Sequence, residues 1–382
     1  MMPVLDLSRE YGLVLEGGGA KGAYQIGAWK ALREAGLRIR GVSGTSVGSL
    51  NGALIVMDDL DKAEYIWENI AYSSVMDISD DVIESVKNWD LKSLNISQII
   101  SDGKRVLRDG GIDIAPLKWL IDETVDETLL RESERELFLT TFSVTDRQVL
   151  SIDIRDIPDG GIGDMLLASA YFPVFKNEKL GGKRYMDGGS LNNVPIDVLL
   201  EHGYQDIIVI RIYGLGFDSE RILRIPDDVT IHHIAPRQSL GGILEFDKKK
   251  ARKNMKLGYF DAMRMLYGLS GRFYYLDAAN SESYYFDRMM SEMEFLKEFI
   301  LEELEITEFE ENGYRSYTEE LFPKLAKQYR LKEGWDYKEL YLAILEHTAK
   351  RLRLNRFCIY TPDQLLSNIH RKRNLLDRPI SI

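Results

Sequence analysis

The sequence predicts an α/β protein whose sheet is covered on both faces, followed by a helical C-terminal part. Three observations carry this. Short apolar runs alternate with helix-like segments through the first half, as they do where helices flank a sheet. Ile207–Ile212 is a continuous apolar run with one charge, the pattern of a central parallel strand. After about Gly271 only helix-like segments follow, joined by acid-rich stretches such as Glu308-Phe309-Glu310-Glu311.

Taken in order, Tyr11–Leu15 reads as a strand that breaks at Gly17-Gly18-Gly19. Ala23–Glu34 reads as a helix with Gly36 as its stop. Ile39–Val42 is a second short strand. Ser46–Met57 is apolar and rich in small residues, which suits a buried helix. Ala71–Gly111 mixes helical and irregular signals. Its apolar residues Val75, Met76, Trp89 and Leu94 look exposed. The segment reads either as an ordinary helical excursion or as a lid over a site. Leu137–Val144 and Val149–Ile154 read as strands joined through Thr145-Asp146-Arg147. Arg184–Met186 is short and extended, and Pro195–Glu201 is a helix with proline in its first turn. Ser283–Leu304, Thr318–Tyr329, Asp336–Leu354 and Pro362–Arg371 read as helices. The expected division is a domain over residues 7–275 and a helical domain over 276–382.

The bulk numbers exclude several classes. A chain of 382 residues with 45% hydrophobic and 29% charged residues is ordinary for a globular protein. Its length allows a full core without disulfides. The single cysteine, Cys358, has no partner within the chain, which fits a reducing compartment. A formal net charge of −12 argues against nucleic acid as a partner, because phosphate binding needs a basic face. No run approaches the roughly 18 apolar residues of a membrane span, and the N-terminus lacks a signal-peptide pattern. The expectation is a cytoplasmic protein, with contact at a membrane surface left open. Oligomeric state is not readable.

The glycine run asks what backbone must approach there. A P-loop needs Lys-Ser/Thr after its last glycine, but Ala23 and Tyr24 follow Gly22. Gly17, Gly19 and Gly22 have dinucleotide-site spacing, yet no Asp or Glu occurs from Ala35 to Met57, where a ribose-binding acid is expected. A third meaning comes from Gly44-Thr45-Ser46-Val47-Gly48. This Gly-x-Ser-x-Gly pattern sits between a short strand and an apolar helix, the setting of a nucleophile elbow. A plain glycine-rich turn is the ordinary alternative. The two motifs explain each other, because an acyl-transfer nucleophile needs N–H donors aimed at the developing oxyanion. The loop Gly17–Gly19 and the amide of Val47 supply them in this reading.

A nucleophilic serine needs a base. Of the five histidines, His202, His232, His233, His347 and His370, none stands in a catalytic context. Asp187, at a strand end before Gly188-Gly189, offers a direct alternative. Its competing role is an ordinary Asp-Gly turn.

These segments together resemble the patatin-like phospholipase family. The resemblance rests on Gly17-Gly18-Gly19-Ala20-Lys21-Gly22, then Gly44-Thr45-Ser46-Val47-Gly48, Ala168-Ser169-Ala170-Tyr171-Phe172-Pro173, and Asp187-Gly188-Gly189. It covers roughly Tyr11 to Ile212. It implies a three-layer α/β/α fold with a mostly parallel sheet and a lipid acyl hydrolase, phospholipase or esterase, acting through a Ser-Asp dyad. Ser46 is then the nucleophile, Asp187 the base, and the glycine loop the oxyanion hole. Lys21 stands where many members carry arginine, and lysine lacks the planar fork. No cofactor or metal is expected, and the partner is a lipid or ester substrate. The alternative is a catalytically weak lipid-binding protein on the same fold. The basic run Lys248, Lys249, Lys250, Arg252, Lys253 and Lys256 reads as a solvated helix face or as a lipid headgroup contact.

Overall fold

Residues 1–77, 111–176, 178–311 and 313–376 are described by the computed structural model. They form two compact units, Met2–Leu266 and Tyr267–Ile382, Met1 grouping with the second.

The first unit is built on a seven-stranded sheet. Its strands are β1 (Glu10–Leu15), β2 (Arg38–Thr45), β3 (Glu136–Ser143), β4 (Gln148–Asp153), β5 (Tyr185–Asp187), β6 (Asp206–Ile210) and β7 (Thr230–Ile234). The order is β4-β3-β2-β1-β6-β7, with β5 on β3. Strands β1, β2, β3, β6 and β7 run parallel, while β4 and β5 pair antiparallel with β3. The helices are α1 (Ala23–Glu34), α2 (Val47–Val56), α3 (Leu60–Asn69), α4 (Ala115–Thr124), α5 (Glu127–Glu132), α6 (Ile162–Ser169), α7 (Ile196–Glu201) and α8 (Lys248–Tyr267).

β1 shows why the strands read as unbroken apolar runs. Leu15 packs beneath Gly48 and Gly52 of α2, whereas Gly12 faces Leu199 of α7 and Tyr204 just after that helix on the opposite side. A strand covered on both faces needs apolar residues at every position. Val14, Phe138, Ile207 and Val209 join Ile196 and Leu199 in the core on the α7 side. The layers are therefore helix, sheet, helix.

Two expectations change here. Val75 and Met76 are buried, not exposed; Trp89 and Leu94 lie outside the described residues. Strand β2 extends past Val42 to Thr45, since Gly41–Thr45 is paired with β3 over that length and Gly41–Gly44 with β1 as well. Pairing on both edges overrides the weak strand preference of Ser43 and Gly44.

The second unit has its own core, including Tyr285, Leu296, Phe322, Tyr341 and Leu365. Its helices are α9 (Glu282–Ser291), α10 (Met293–Glu303), α11 (Phe322–Gln328), α12 (Tyr337–Arg351) and α13 (Pro362–Leu376). The stretch read as one helix, Ser283–Leu304, breaks at Glu292. There the Ser291 hydroxyl donates to the Arg288 carbonyl at 2.8 Å, competing with the helical ladder. The stretch Thr318–Tyr329 starts with a π-helical turn, Ser316–Leu321, ahead of Pro323, whose ring cannot accept a regular preceding turn. A two-residue parallel pair, Tyr275–Leu276 with Ile359–Tyr360, was too short for any period to reveal. Among the described residues no helix is long and apolar enough to cross a membrane.

Candidate active site

Ser46 occupies the sharp turn between β2 and α2. Its backbone sits at φ 56°, ψ −124°, a region that costs a residue with a side chain about 1–3 kcal/mol. The surroundings hold it there. The Ser46 N–H donates to Ser169 Oγ at 2.9 Å. The Ser49 and Ser169 hydroxyls lie 2.8 Å apart, beside the carbonyls of Gly44 (2.8 Å) and Thr140 (2.7 Å). Glycine is required at 48, because a Cβ there would lie 2.2 Å from the Leu15 carbonyl oxygen. The elbow is thus pressed onto the end of β1, with Gly44 closing on the Gly48 backbone from the other side.

The register of β3 brings Asp187 to Ser46. Thr45, the last residue of β2, pairs with Thr140, and the next residue of β3, Thr141, pairs with Asp187 of β5. One strand therefore aligns the end of β2 and the end of β5 at consecutive positions. The Asp187 N–H donates to the Tyr171 carbonyl at 2.8 Å, and its Oδ1 accepts from the Gly189 N–H at 2.8 Å. Gly188 and Gly189 form the short turn that follows. Ser46 and Asp187 are each 8% exposed. Burial raises the Asp187 carboxyl from the ordinary 3.8 to about 6, against the opposing pull of the Ser46 hydroxyl and the Gly189 N–H.

The glycine loop closes the site. The Gly17 N–H donates to the Asn193 carbonyl at 3.1 Å, and Asn193 Nδ2 donates back to the Gly17 carbonyl at 3.2 Å. The Ala20 N–H is taken by the Ile243 carbonyl at 2.7 Å. Between them, the Gly18 and Gly19 N–H groups have no hydrogen-bond partner among the described residues, and Gly18 and Gly19 line the cavity containing Ser46. Gly19 takes φ 54°, and a Cβ on it would meet the Ile243 carbonyl oxygen at 2.1 Å. Gly22 packs against Val47 and Trp67. Lys21 Nζ donates to the Tyr213 carbonyl. Burial lowers its pKa, with Glu16 opposing.

Glu16 fixes the neighbouring loop. Its buried carboxylate accepts from the N–H groups of Ile212 (2.7 Å), Tyr213 (2.9 Å) and Gly214 (3.1 Å) and pairs with Arg211 at 3.0 Å. A buried carboxylate is tolerable only with this degree of pairing.

Ser46, Val47, Gly18, Gly19, Asp187 and Asn193 all line one cavity of about 110 Å³. Its remaining wall is mostly apolar and includes Leu50, Leu54, Trp67, Ile121, Phe172 and Phe246. Trp67 is held by its indole N–H donating to Asn51 at 2.9 Å. None of the five histidines lines it. No cluster suited to a metal ion occurs among the described residues.

Residues 13–200 match the family model described as patatin-like phospholipase. This segment belongs to the patatin-like phospholipase family. Among curated relatives, the chain is 28% identical over 209 residues to the neuropathy target esterase sws of Drosophila melanogaster, spanning 53% of this chain and 13% of that protein. It is 28% identical over 204 residues to patatin-like phospholipase domain-containing protein 6 of Homo sapiens, spanning 52% of this chain and 13% of that protein. A stretch of 50 residues, 13% of this chain and 3% of the relative, is 56% identical to the lysophospholipase nte1 of Aspergillus terreus. Each match thus spans a small part of a much longer protein. The crystal structure of VipD from Legionella pneumophila aligns with a TM-score of 0.43 at 14% identity, covering 97% of this chain and 88% of that one.

Four residues in this patatin-like site had no role in the sequence reading. Ser169 stood inside the Ala168–Pro173 segment, but nothing local told that its hydroxyl reaches the elbow. Asn193 stood beside the Asp187 turn without a marked partner. Glu16, a lone acid at the end of an apolar strand, was the clearest missed signal. Ser49 was hidden among the small residues of α2.

Proposed function

We propose that the chain is a lipid acyl hydrolase in which Ser46 and Asp187 form a catalytic dyad. The observation that carries this is their meeting, both buried, in an apolar cavity beside two unpartnered glycine N–H groups. Asp187 accepts the Ser46 proton as Oγ attacks the ester carbonyl. A carboxylate with a pKa near 6 is a stronger base than an exposed one and is still ionised at neutral pH. The oxyanion forms against the N–H groups of Gly18, Gly19 and Val47. Gly17 serves instead as the hinge that ties this loop to Asn193. The proton held by Asp187 then passes to the departing alcohol or lysolipid, leaving an acyl ester on Ser46. Water, giving a proton to Asp187, attacks that ester, and Asp187 returns the proton to Ser46 Oγ as the fatty acid leaves. The fatty acyl chain lies along Leu50, Leu54 and Trp67.

Fatty acid release from lysophospholipid and phospholipid by the purified protein tests this. Wild type is expected to turn over and Ser46→Ala to be inactive with an unchanged fold. A folded Ser46→Ala protein that keeps substantial turnover refutes the assignment. Intact Ser46, Asp187 and glycine loop disfavour the catalytically weak lipid binder.

A further inference from the structure

The exposed face of α8 carries charge that the fold does not use. Lys248, Lys249, Arg252, Lys253 and Lys256 are all exposed. Their spacing of one, four, five and eight residues puts them on a single helical face. The opposite face is buried: Met255 and Gly258 pack on the backbones of Gly27 and Tyr24. Among the described residues none of the five cations has a carboxylate within ion-pair distance, whereas the neighbouring Lys250 pairs with Glu245. Asp247 caps the helix by accepting from the Lys250 N–H at 2.8 Å, but the first turn holds no acid. Lysines there oppose the helix macrodipole. So many unpaired cations on one face are notable in a chain of net charge −12.

The position of this face matters. It begins two residues after Phe246, and Ile243, Leu244 and Phe246 line the cavity. Asp187, Asn193 and Leu215 line the same cavity, and large apolar side chains on their loops are exposed. Leu191 is 45% and Phe217 46% exposed. The Phe217 N–H donates to the Gly189 carbonyl, and its carbonyl accepts from the Asn193 N–H. Both residues therefore ride on the backbone that holds Asp187 and Asn193.

We infer that the basic face of α8, with Leu191 and Phe217, docks the catalytic unit on an anionic lipid surface. Cations at such a surface each strengthen binding by about fivefold. Apolar side chains that enter the headgroup region add to this. The overall negative charge makes the attraction local, so it orients the protein as well as holding it. The choice of a lipid surface rests on the lipid hydrolase reading above.

The test uses the full chain carrying Ser46→Ala, so that vesicles are not consumed. Co-sedimentation is measured with phosphatidylcholine vesicles and with vesicles containing about 30% phosphatidylserine. Binding is expected to the anionic vesicles, to weaken steeply with salt as screening shortens, and to be near zero on phosphatidylcholine alone. K249E/R252E/K253E/K256E should lower binding to anionic vesicles at least about 100-fold. The same four positions changed to Gln, on a native melting curve, should lower it less. In the Ser46 background, the charge-reversed protein should hydrolyse a soluble short-chain ester as wild type does. Equal vesicle binding by both proteins overturns the inference. So does tighter binding to single-stranded RNA than to the anionic vesicles, lost with the same substitutions. If soluble ester is not cleaved by wild type, the hydrolase reading fails independently of the vesicle result.

Discussion

Replacing Asp187 with Asn should slow catalysis severely and stabilise the protein at once. In the folded chain, burial raises this carboxyl from 3.8 to about 6. A carboxyl whose pKa rises on folding binds its proton more tightly when folded. The associated stability is complete below pH 3.8 and is lost as the pH climbs through about 6. At 1.36 kcal/mol for each pH unit, keeping Asp187 ionised at pH 8 costs about 3 kcal/mol. Asn is neutral at every pH and keeps the Oδ1 that accepts from Gly189. Asp187→Asn should therefore melt about 6–12 °C above wild type at pH 8, taking about 2–4 °C per kcal/mol for a unit of this size. At pH 4 the two should nearly coincide. Ester turnover should fall about 10²–10⁴-fold, the usual size of a positioned base. Wild-type kcat/KM should fall with acidification around pH 6, where Asp187 takes up its proton. The assays are thermal melts and initial rates on a soluble ester across pH 4–9, with intact mass checked because an Asn-Gly step deamidates readily. A variant less stable than wild type at pH 8, on a correct mass, refutes the argument that Asp187 is held ionised at a cost.

Other predictions concern the supports of the site. Ser169→Ala leaves the Ser46 N–H buried without its acceptor, so stability should drop by about 1–3 kcal/mol; kcat should fall at least tenfold with KM within about threefold, and a KM effect alone would make Ser169 a binding residue. Leu54 lies eight residues along α2 from Ser46, about 12 Å at 1.5 Å per residue. Leu54→Trp should shorten the space for an acyl chain. Denying burial to two or three methylenes at about 0.8 kcal/mol each should cut long-chain ester turnover about 30-fold and leave short-chain turnover within about threefold. Equal effects on both lengths would put the acyl chain elsewhere. Substituting each histidine singly should leave rates within about tenfold; a well-folded histidine variant as inactive as Asp187→Asn would replace the dyad with a triad.

Much of this was legible because the local constraints are strong. Helix α1 was readable at both ends, since glycine precedes it and Gly36 follows. Ser46 and the glycine loop were legible because close backbone approach leaves glycine as the workable residue at positions such as 19 and 48. Asp187 was readable as an acid turn, but not its neighbourhood to Ser46. That depends on β3 pairing with β2 and β5 along one edge, a long-range register with no local trace. Ser169 and Asn193 act through hydrogen bonds to residues far away in sequence, so type and spacing did not mark them; Glu16 stood out as a lone acid after an apolar strand, but its partners at Arg211–Gly214 are equally distant. Val75 and Met76 looked exposed because no helical or strand period surrounds them, yet both are buried. The reading of residues 71–111 as a lid falls mostly outside the described residues.

The most direct test of the central claim is labelling by a fluorophosphonate, which captures an activated serine by forming a covalent phosphonyl ester. The folded protein is reacted at pH 8, digested, and the adduct located by mass spectrometry. The account predicts a single major adduct on Ser46, formed far more slowly in Asp187→Asn and absent in Ser46→Ala. An adduct on another residue, or labelling of Ser46 at the same rate without the Asp187 carboxylate, contradicts it.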